Sequence, residues 1–452
     1  MINFKSGRFR GIPLISLCLL WTFISFTPTY HLPPFSLEIA QWTIPLVKYS
    51  FLFPIFFLAG AIAFQKRKVE FQFWDAVIGA YFLISFLSLW GSELPGKGFA
   101  KATYHVMTAL GVFFLAQRAF HDFRQVRIFI EFSVGIATIV AIYGIYEFLT
   151  NSNPIFGDFY VNYNRYYNGP DRASSSLGNP VVLGTYLVIC LPFAMGQIRE
   201  PGKSKWVHRR RGFSLGILCL ALVFTQTRGA WFAAMLIFFS YWKIGKDPYK
   251  GKNWLEWVLV CVLIFLFLQP FFNLSVDIWN IHWVKRILLE RIENIAILDQ
   301  AKVYRFEQYK IVFSILKENP LLGLGFGQYT SLLGEYKTSS LPDIGVRTTD
   351  NMYLMILAET GTAGISAFLV FFGGIFKHIW ENSPEKISGN WPAICQAFLF
   401  GFLAHMLFWD GLNHPNIRIG FWIMMGVVVF VMKNGKSQVA ESQFLLRCEA
   451  KG

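Results

Sequence analysis

Asn319-Pro-Leu-Leu-Gly-Leu-Gly-Phe-Gly-Gln-Tyr329, followed after a polar interval by Thr348-Thr-Asp-Asn-Met-Tyr-Leu-Met-Ile-Leu-Ala-Glu-Thr-Gly-Thr-Ala-Gly364, reads as an irregular loop running into an apolar helix. Gly323, Gly325 and Gly327 stand at alternate positions. Glycine reaches φ > 0 without penalty and lets a backbone lie close to a ligand or to another backbone, so this loop has a set shape. Asp350 and Asn351 sit where the chain turns from polar to apolar. They are therefore expected at a membrane surface, on whichever side the loop occupies.

Composition supports a membrane setting. The 452 residues are 54% hydrophobic, 18% aromatic and 15% charged, and the apolar residues gather in long runs. The runs fall at about 11–29, 39–64, 74–91, 98–117, 126–149, 177–198, 212–227, 229–243, 254–272, 351–376, 392–412 and 416–433. This pattern predicts an all-α, polytopic integral membrane protein of about twelve transmembrane helices. Its expected divisions are helices one to five over 1–149, helices six to nine with a first outer loop over 150–272, a large loop over 273–350, helices ten to twelve over 351–433, and a tail over 434–452.

Net charge is +14, and its distribution separates topology from nucleic-acid binding. Lys5, Arg8 and Arg10; Lys66, Arg67 and Lys68; Arg118, Arg124 and Arg127; Arg199 through Arg211; Lys243 through Lys252; Lys377 and Lys386; and the tail from Lys433 all fall on one side if twelve spans hold. The positive-inside rule then puts both termini in the cytoplasm and the loops at 150–176 and 273–350 outside. Nucleic acid is not an expected partner. In the larger loop, 284–297 and 305–316 carry apolar residues at helical spacing and read as amphipathic helices on the bilayer.

Several chemistries are excluded by pattern. Cys18, Cys190, Cys219, Cys261, Cys395 and Cys448 have neither metal-ligand nor disulfide spacing, so no metal is expected. Gly-Leu-Gly-Phe-Gly lacks both the dinucleotide and the P-loop period, and no cofactor is expected. Charge within the apolar runs is too sparse for a proton relay, which counts against a coupled transporter.

What remains on the outer side is a set of arginines with carboxylate and histidine companions. Arg172 precedes Gly178-Asn179-Pro180 at the start of the sixth span, Arg228 lies in Thr-Gln-Thr-Arg-Gly-Ala-Trp between the seventh and eighth, and Arg305 lies in the large loop. Each is either a snorkelling or solvated arginine or a ligand for an anion. Guanidinium forks match phosphate oxygens. A lipid-linked sugar diphosphate brings its own leaving group to a face that has no nucleotide sugar, so arginines plus one general base suffice there.

In this order Arg172-x-x-x-x-Leu-Gly-Asn-Pro180, Thr225-x-Thr-Arg-Gly-Ala-Trp231, Arg305-x-x-x-Tyr309, Asn319-Pro-Leu-x-Gly-x-Gly325 and Asp350-Asn-x-Tyr-Leu-x-x-Leu-Ala-Glu-x-Gly-x-x-Gly364 resemble the O-antigen ligase and polymerase superfamily over about residues 130 to 430. The resemblance implies a GT-C-like fold in the bacterial inner membrane with a periplasmic loop subdomain. It further implies metal-independent transfer of a glycan from undecaprenyl diphosphate to an acceptor hydroxyl: lipid A-core for a ligase, a growing glycan for a polymerase. It casts Arg228 and Arg305 on the donor diphosphate. Arg172, Asn179, Gly323, Gly325, Gly327, Asn351, Tyr353 and Arg418 are the remaining expected substrate contacts.

The family motif has His where this chain has Asp350. A carboxylate at a low-polarity interface can serve as base, and Asp is equally a common N-cap, so Asp350 carries both readings. His414 and His282 are reserve bases, each otherwise an ordinary interfacial histidine. Asp410 and Arg418 flank the last outer turn and are expected to close it by an ion pair or to orient a sugar. A lipid-linked oligosaccharide flippase and a non-catalytic binder of the same lipid are the competing functions.

Overall fold

A computed structural model describes residues 11–27, 36–39, 42–45, 52–63, 73–154, 172–198, 204–244, 295–336, 349–381 and 390–449, with backbone alone for 36–45, 244, 295–305 and 435–449. The helices are α1 Ile12–Phe26, α2 Leu52–Ala63, α3 Phe73–Leu87, α4 Pro95–Ala119 with a π-helical turn at Val106–Gly111, α5 Phe123–Thr150, α6 Pro180–Ile198, α7 Lys205–Phe224 and α8 Arg228–Ile244. They continue as α9 Ile295–Glu318, α10 Tyr329–Tyr336, α11 Met352–Glu381, α12 Trp391–His405 and α13 Pro415–Glu449.

Among the described residues, five helices are long and apolar enough to cross a membrane: α4, α5, α6, α11 and Pro415–Asn434 of α13. Helices α1, α2, α3 and α12 are shorter apolar helices. A helix thus occupies eleven of the twelve apolar runs, and the run at 254–272 lies outside the described residues. The run at 39–64 is corrected. Its first part forms strands β1 Ser36–Ile39 and β2 Trp42–Pro45, an antiparallel hairpin in which Ser36 pairs with Pro45, and helix begins only at Leu52. Proline at a strand end costs no ladder bond, whereas inside a helix it removes one.

Local chemistry sets the ends of the helices. Asp122 caps α5 by accepting from Gln125 N at 2.8 Å, and Gln125 Oε1 accepts from His121 N at 2.7 Å. This reciprocal pair satisfies amides that a helix start leaves free. Near the same ends, Arg118 of α4 bonds Asp75 of α3 at 3.1 Å with Gln117 at 3.0 Å, and Arg211 of α7 pairs with Glu131 of α5. Asp75 is a buried cross-link between neighbouring helices.

Helices α6, α8 and α12 pack together, as do α4 with α13, α5 with α7 and α3 with α11. Aromatic contacts fill the centre: Trp21 lies against Phe129 and Tyr186, and Phe402 stacks on Phe421 at 4.0 Å between centroids. Within lipid the helices are held by packing, not by expulsion from water. Close approach therefore matters, and at Gly184 of α6 an added Cβ would lie 3.1 Å from Ala230 of α8 and 3.3 Å from Thr227 just before it.

The opening stretch explains α11. This helix is broken at Gly361, where φ is 63° and ψ −163°. The loop 319–328 is sewn into the break: Leu324 N donates to Ala358 O at 2.9 Å, Gly325 N to Glu359 O at 3.1 Å, Thr362 N to Pro320 O at 3.0 Å and Ala363 N to Leu321 O at 3.2 Å. On its other side Gln328 accepts from Leu94 N and donates to Ser92 Oγ, and Phe326 N donates to Ser88 Oγ. Glu359 faces Lys101 of α4 at 3.5 Å, so it makes a helix–helix contact. Ile311, Val312 and Ile315 of α9 pack with Leu324, Tyr329, Leu332, Leu333, Met355 and Ala358 into a small core of their own. Helix α9 covers residues 305–316 in one piece with 295–304; the expected helical stretch at 284–294 lies outside the described residues.

Gly361→Ala should be severely destabilising, because its Cβ would fall 2.3 Å from the Leu321 carbonyl and its φ is positive. Backbone strain of this kind costs about 1–3 kcal/mol before the clash is counted. Gly373→Ala, in open space, should not be. Thermal unfolding of the two purified variants, compared with the parent protein, measures the difference.

Candidate functional site

The starts of α6, α8 and α11 meet the end of α12, and each is held by a different local device. Asn179 caps α6, its Oδ1 accepting from Val181 N at 2.7 Å and Val182 N at 3.2 Å, after Gly178 turns the chain at φ 78°. The segment before it lies on the α7–α8 turn. Ala173 N donates to Phe224 O at 3.0 Å, while Arg172 donates from Nε to Thr225 O at 2.9 Å and from Nη2 to Thr227 Oγ1 at 3.0 Å. Thr227 Oγ1 also reaches Pro180 O at 3.1 Å, and Gln226 takes φ 51°. Arg228 is the first residue of α8, partly exposed on this braced turn.

The same segment is held from α5 by Glu147, which is 7% exposed. Its carboxylate accepts from Ser174 N at 2.9 Å, Ser174 Oγ at 2.7 Å, Ser175 N at 2.5 Å and Asn153 Nδ2 at 3.0 Å. A buried carboxylate is tolerated only with such a full set of donors. It fixes the 172–176 segment and so the partner of the arginine turn.

The second half of the site hangs from the segment after α12. A Cβ on Gly229 would stand 2.7 Å from Phe408 Cβ and 3.2 Å from His405 Nδ1, and Phe232 meets Phe408 edge-on at 5.6 Å. One turn away Met406 O accepts from Met352 N at 2.9 Å, and Tyr353 Oη donates to Leu403 O at 2.8 Å. The segment 403–408 therefore touches both the helix begun by Arg228 and the helix begun after Asp350.

At that second helix the capping question has an answer. Asn351 Oδ1 accepts from Tyr353 N at 2.9 Å and Leu354 N at 3.2 Å, so Asn351 is the N-cap and Asp350 stands one residue outside it. Asp350 is partly exposed, and its N–H donates to Gln308 Oε1 at 3.1 Å. Arg305 occupies α9 one turn before Gln308; its side chain lies outside the described residues, as does all of His282.

Several of the expected substrate contacts have roles in the architecture. Asn179 and Asn351 are caps and Tyr353 ties α11 to α12. Gly323, Gly325 and Gly327, with φ of 64°, 104° and 79°, press on Ala358, Ser92 and Lys101, so the close approach they permit is to protein. Arg418 is 2% exposed and does close the turn between α12 and α13, but through carbonyls: it donates to Leu412 O at 2.9 Å and Asn413 O at 3.3 Å, and also to Thr108 Oγ1 and to His105 Nε2. Asp410 accepts from Asn413 Nδ2 at 3.1 Å. His414 stacks on Trp409 at 4.5 Å, and burial together with the Arg418 charge lowers it to about 4, no stronger a base than a carboxylate.

Two residues of the site carried no signal of their place in it. His405 and Glu147 sit in apolar runs without a neighbouring motif. A single polar residue in a run gives no sign of the tertiary partner that justifies it.

Asn351→Ala should lower stability by about 1 kcal/mol, the usual value of a lost cap, whereas Asp350→Ala should leave the melting point nearly unchanged. Glu147→Leu should cost more than either, because each donor left without an acceptor in a buried place costs about 1–3 kcal/mol. Thermal unfolding of the three variants in one detergent ranks them.

Residues 213–369 match the family model described as O-antigen ligase. The matched stretch contains the Arg228 turn, Arg305, the glycine loop and the Asp350 helix start, while Arg172 and the α12 and α13 turn lie beyond it. No curated protein matches the chain.

Proposed function

We propose that this chain, which carries an O-antigen ligase domain over residues 213–369, is a bacterial inner-membrane glycosyltransferase. It moves a glycan from a polyprenyl diphosphate carrier to an acceptor hydroxyl at the periplasmic face. The observation that carries this reading is the meeting of the Arg228 helix start and the Asp350 helix start on one short segment, 403–408. A cation for the leaving group and a base for the nucleophile are thereby held by the same piece of chain.

In the reaction, the acceptor oxygen attacks the anomeric carbon and its proton passes to the Asp350 carboxylate. The bond from that carbon to the diphosphate oxygen breaks. Arg228 and Arg305 stabilise the charge that gathers on the departing diphosphate, the larger part of the catalytic effect expected of such preorganised donors. Arg172 braces the turn that carries Arg228. No group other than donor and acceptor is consumed, and the bonds made and broken balance.

Ligase onto lipid A-core is the form proposed; a polymerase would use the same donor side and differ in what occupies the Asp350 side. A flippase reading lacks a charged track through the described helices, where buried charges such as Asp75, Glu147, Arg211, Glu359 and Arg418 are each held by hydrogen bonds or ion pairs.

In a strain whose own copy is deleted, Arg228→Ala and Asp350→Asn should each reduce transferred glycan by about 100-fold or more, in the range expected for loss of a charge stabiliser or a base. Asp350→His should retain it. Full-length polymer left on the carrier lipid marks a ligase, and single repeat units on the core mark a polymerase. Normal glycan in both Arg228→Ala and Asp350→Asn cells would refute the transferase reading.

A further inference from the structure

The backbone of Asp350 is held from another helix: its N–H donates to Oε1 of Gln308 on α9 at 3.1 Å, across 42 residues of chain. A backbone N–H can only donate, so it is the carbonyl end of the Gln308 side chain that faces it. Gln308 is 3% exposed. The residues on either side of Asp350 are fixed as well, since Thr349 Oγ1 donates to Asn351 O at 2.7 Å and Asn351 caps α11.

The place of Gln308 on its helix gives that bond a consequence. Ile311, Val312 and Ile315, on the turns after Gln308, share a core with Met355 and Ala358, on the turns after Asn351. Helices α9 and α11 therefore run side by side in the same direction from the Gln308–Asp350 bond, which stands ahead of the packed core. Residues three apart on a helix are neighbours on its surface, so positions 305 and 308 lie on one side of α9. The turn that bears Arg305 thus comes immediately before the side chain that holds Asp350.

We infer that Gln308 is a positioning residue for Asp350: its Oε1 holds the Asp350 amide against α9 and so keeps the carboxylate in register with the helix that carries Arg305. This rests on the reading of Asp350 as the base. What the bond requires of residue 308 is an acceptor oxygen at the reach of glutamine. Methionine has a similar length and volume but only a weakly accepting sulfur, whereas glutamate keeps an oxygen at the same reach.

Placing the base can be separated from binding the donor. Transferred glycan is measured per copy of protein in a strain whose own copy is deleted, and the purified full-length protein in nanodiscs is titrated with farnesyl diphosphate. Gln308→Met should reduce transferred glycan by about 10-fold or more, as misplacement of a catalytic group does, with affinity for farnesyl diphosphate within about 3-fold of the parent. Gln308→Glu should restore transfer to within about 3-fold of the parent. Parental transfer by Gln308→Met would overturn the inference, as would a loss of transfer matched by an equal loss of farnesyl diphosphate affinity, or a Gln308→Glu variant as poor as Gln308→Met. Parental transfer by Asp350→Asn would instead strike the reading of Asp350 as the base.

Discussion

The structure depends on how the broken backbone at Gly361 is satisfied. A helix interrupted inside a protein exposes amides and carbonyls whose partners are gone, and such groups are costly when buried. Here the carbonyls of Ala358 and Glu359 and the amides of Thr362 and Ala363 are all taken up by residues 320–325. The loop must present its own backbone at contact distance, which is why glycine stands at 323 and 361 with positive φ. The same loop then reaches Ser88, Ser92 and Leu94, so a single ten-residue stretch fixes α11 relative to α3 and α4.

The site inherits its geometry from that arrangement. Helix α11 starts where it does because the loop holds its first half in place, and Met352 and Tyr353 then pin it to 403–406. From the other direction, Glu147 fixes 174–175, Arg172 braces 225–227, and Gly229 closes on Phe408. Two chains of contacts, one built on a glycine loop and one on a buried carboxylate, end on the same segment. Charged groups with many fixed donors and acceptors around them move little, and preorganisation of that kind is what a site for developing charge requires.

Much of this was legible in the sequence. Apolar runs located the helices because burial in lipid demands long unbroken stretches, and the alternate glycines announced a close backbone approach. What sequence left open was the partner: a ligand and a second backbone make the same demand on glycine. Capping chemistry was visible in Asp350-Asn351 but its register was not, since either residue can accept from the first amides of a helix. The hairpin at 36–45 was hidden because Trp-Thr-Ile-Pro is apolar enough to join a span. His405 and Glu147 could not be foreseen, as their meaning lies in Thr185 and in Ser174, far from them in the chain.

The break in α11 also bears on how the protein is assembled. Residues 362–381 alone extend about 30 Å at 1.5 Å per residue, which is the thickness of a hydrocarbon core. Insertion into the bilayer therefore needs nothing from the short segment 352–360 that carries Asn351 and Asp350 at its head. That segment shares its apolar side with Ile311, Leu324 and Leu333, residues of the loop. The place of the Asp350 carboxylate is therefore set by how α9, the glycine loop and α10 pack on that segment, and not by the longer half of α11 that follows the break.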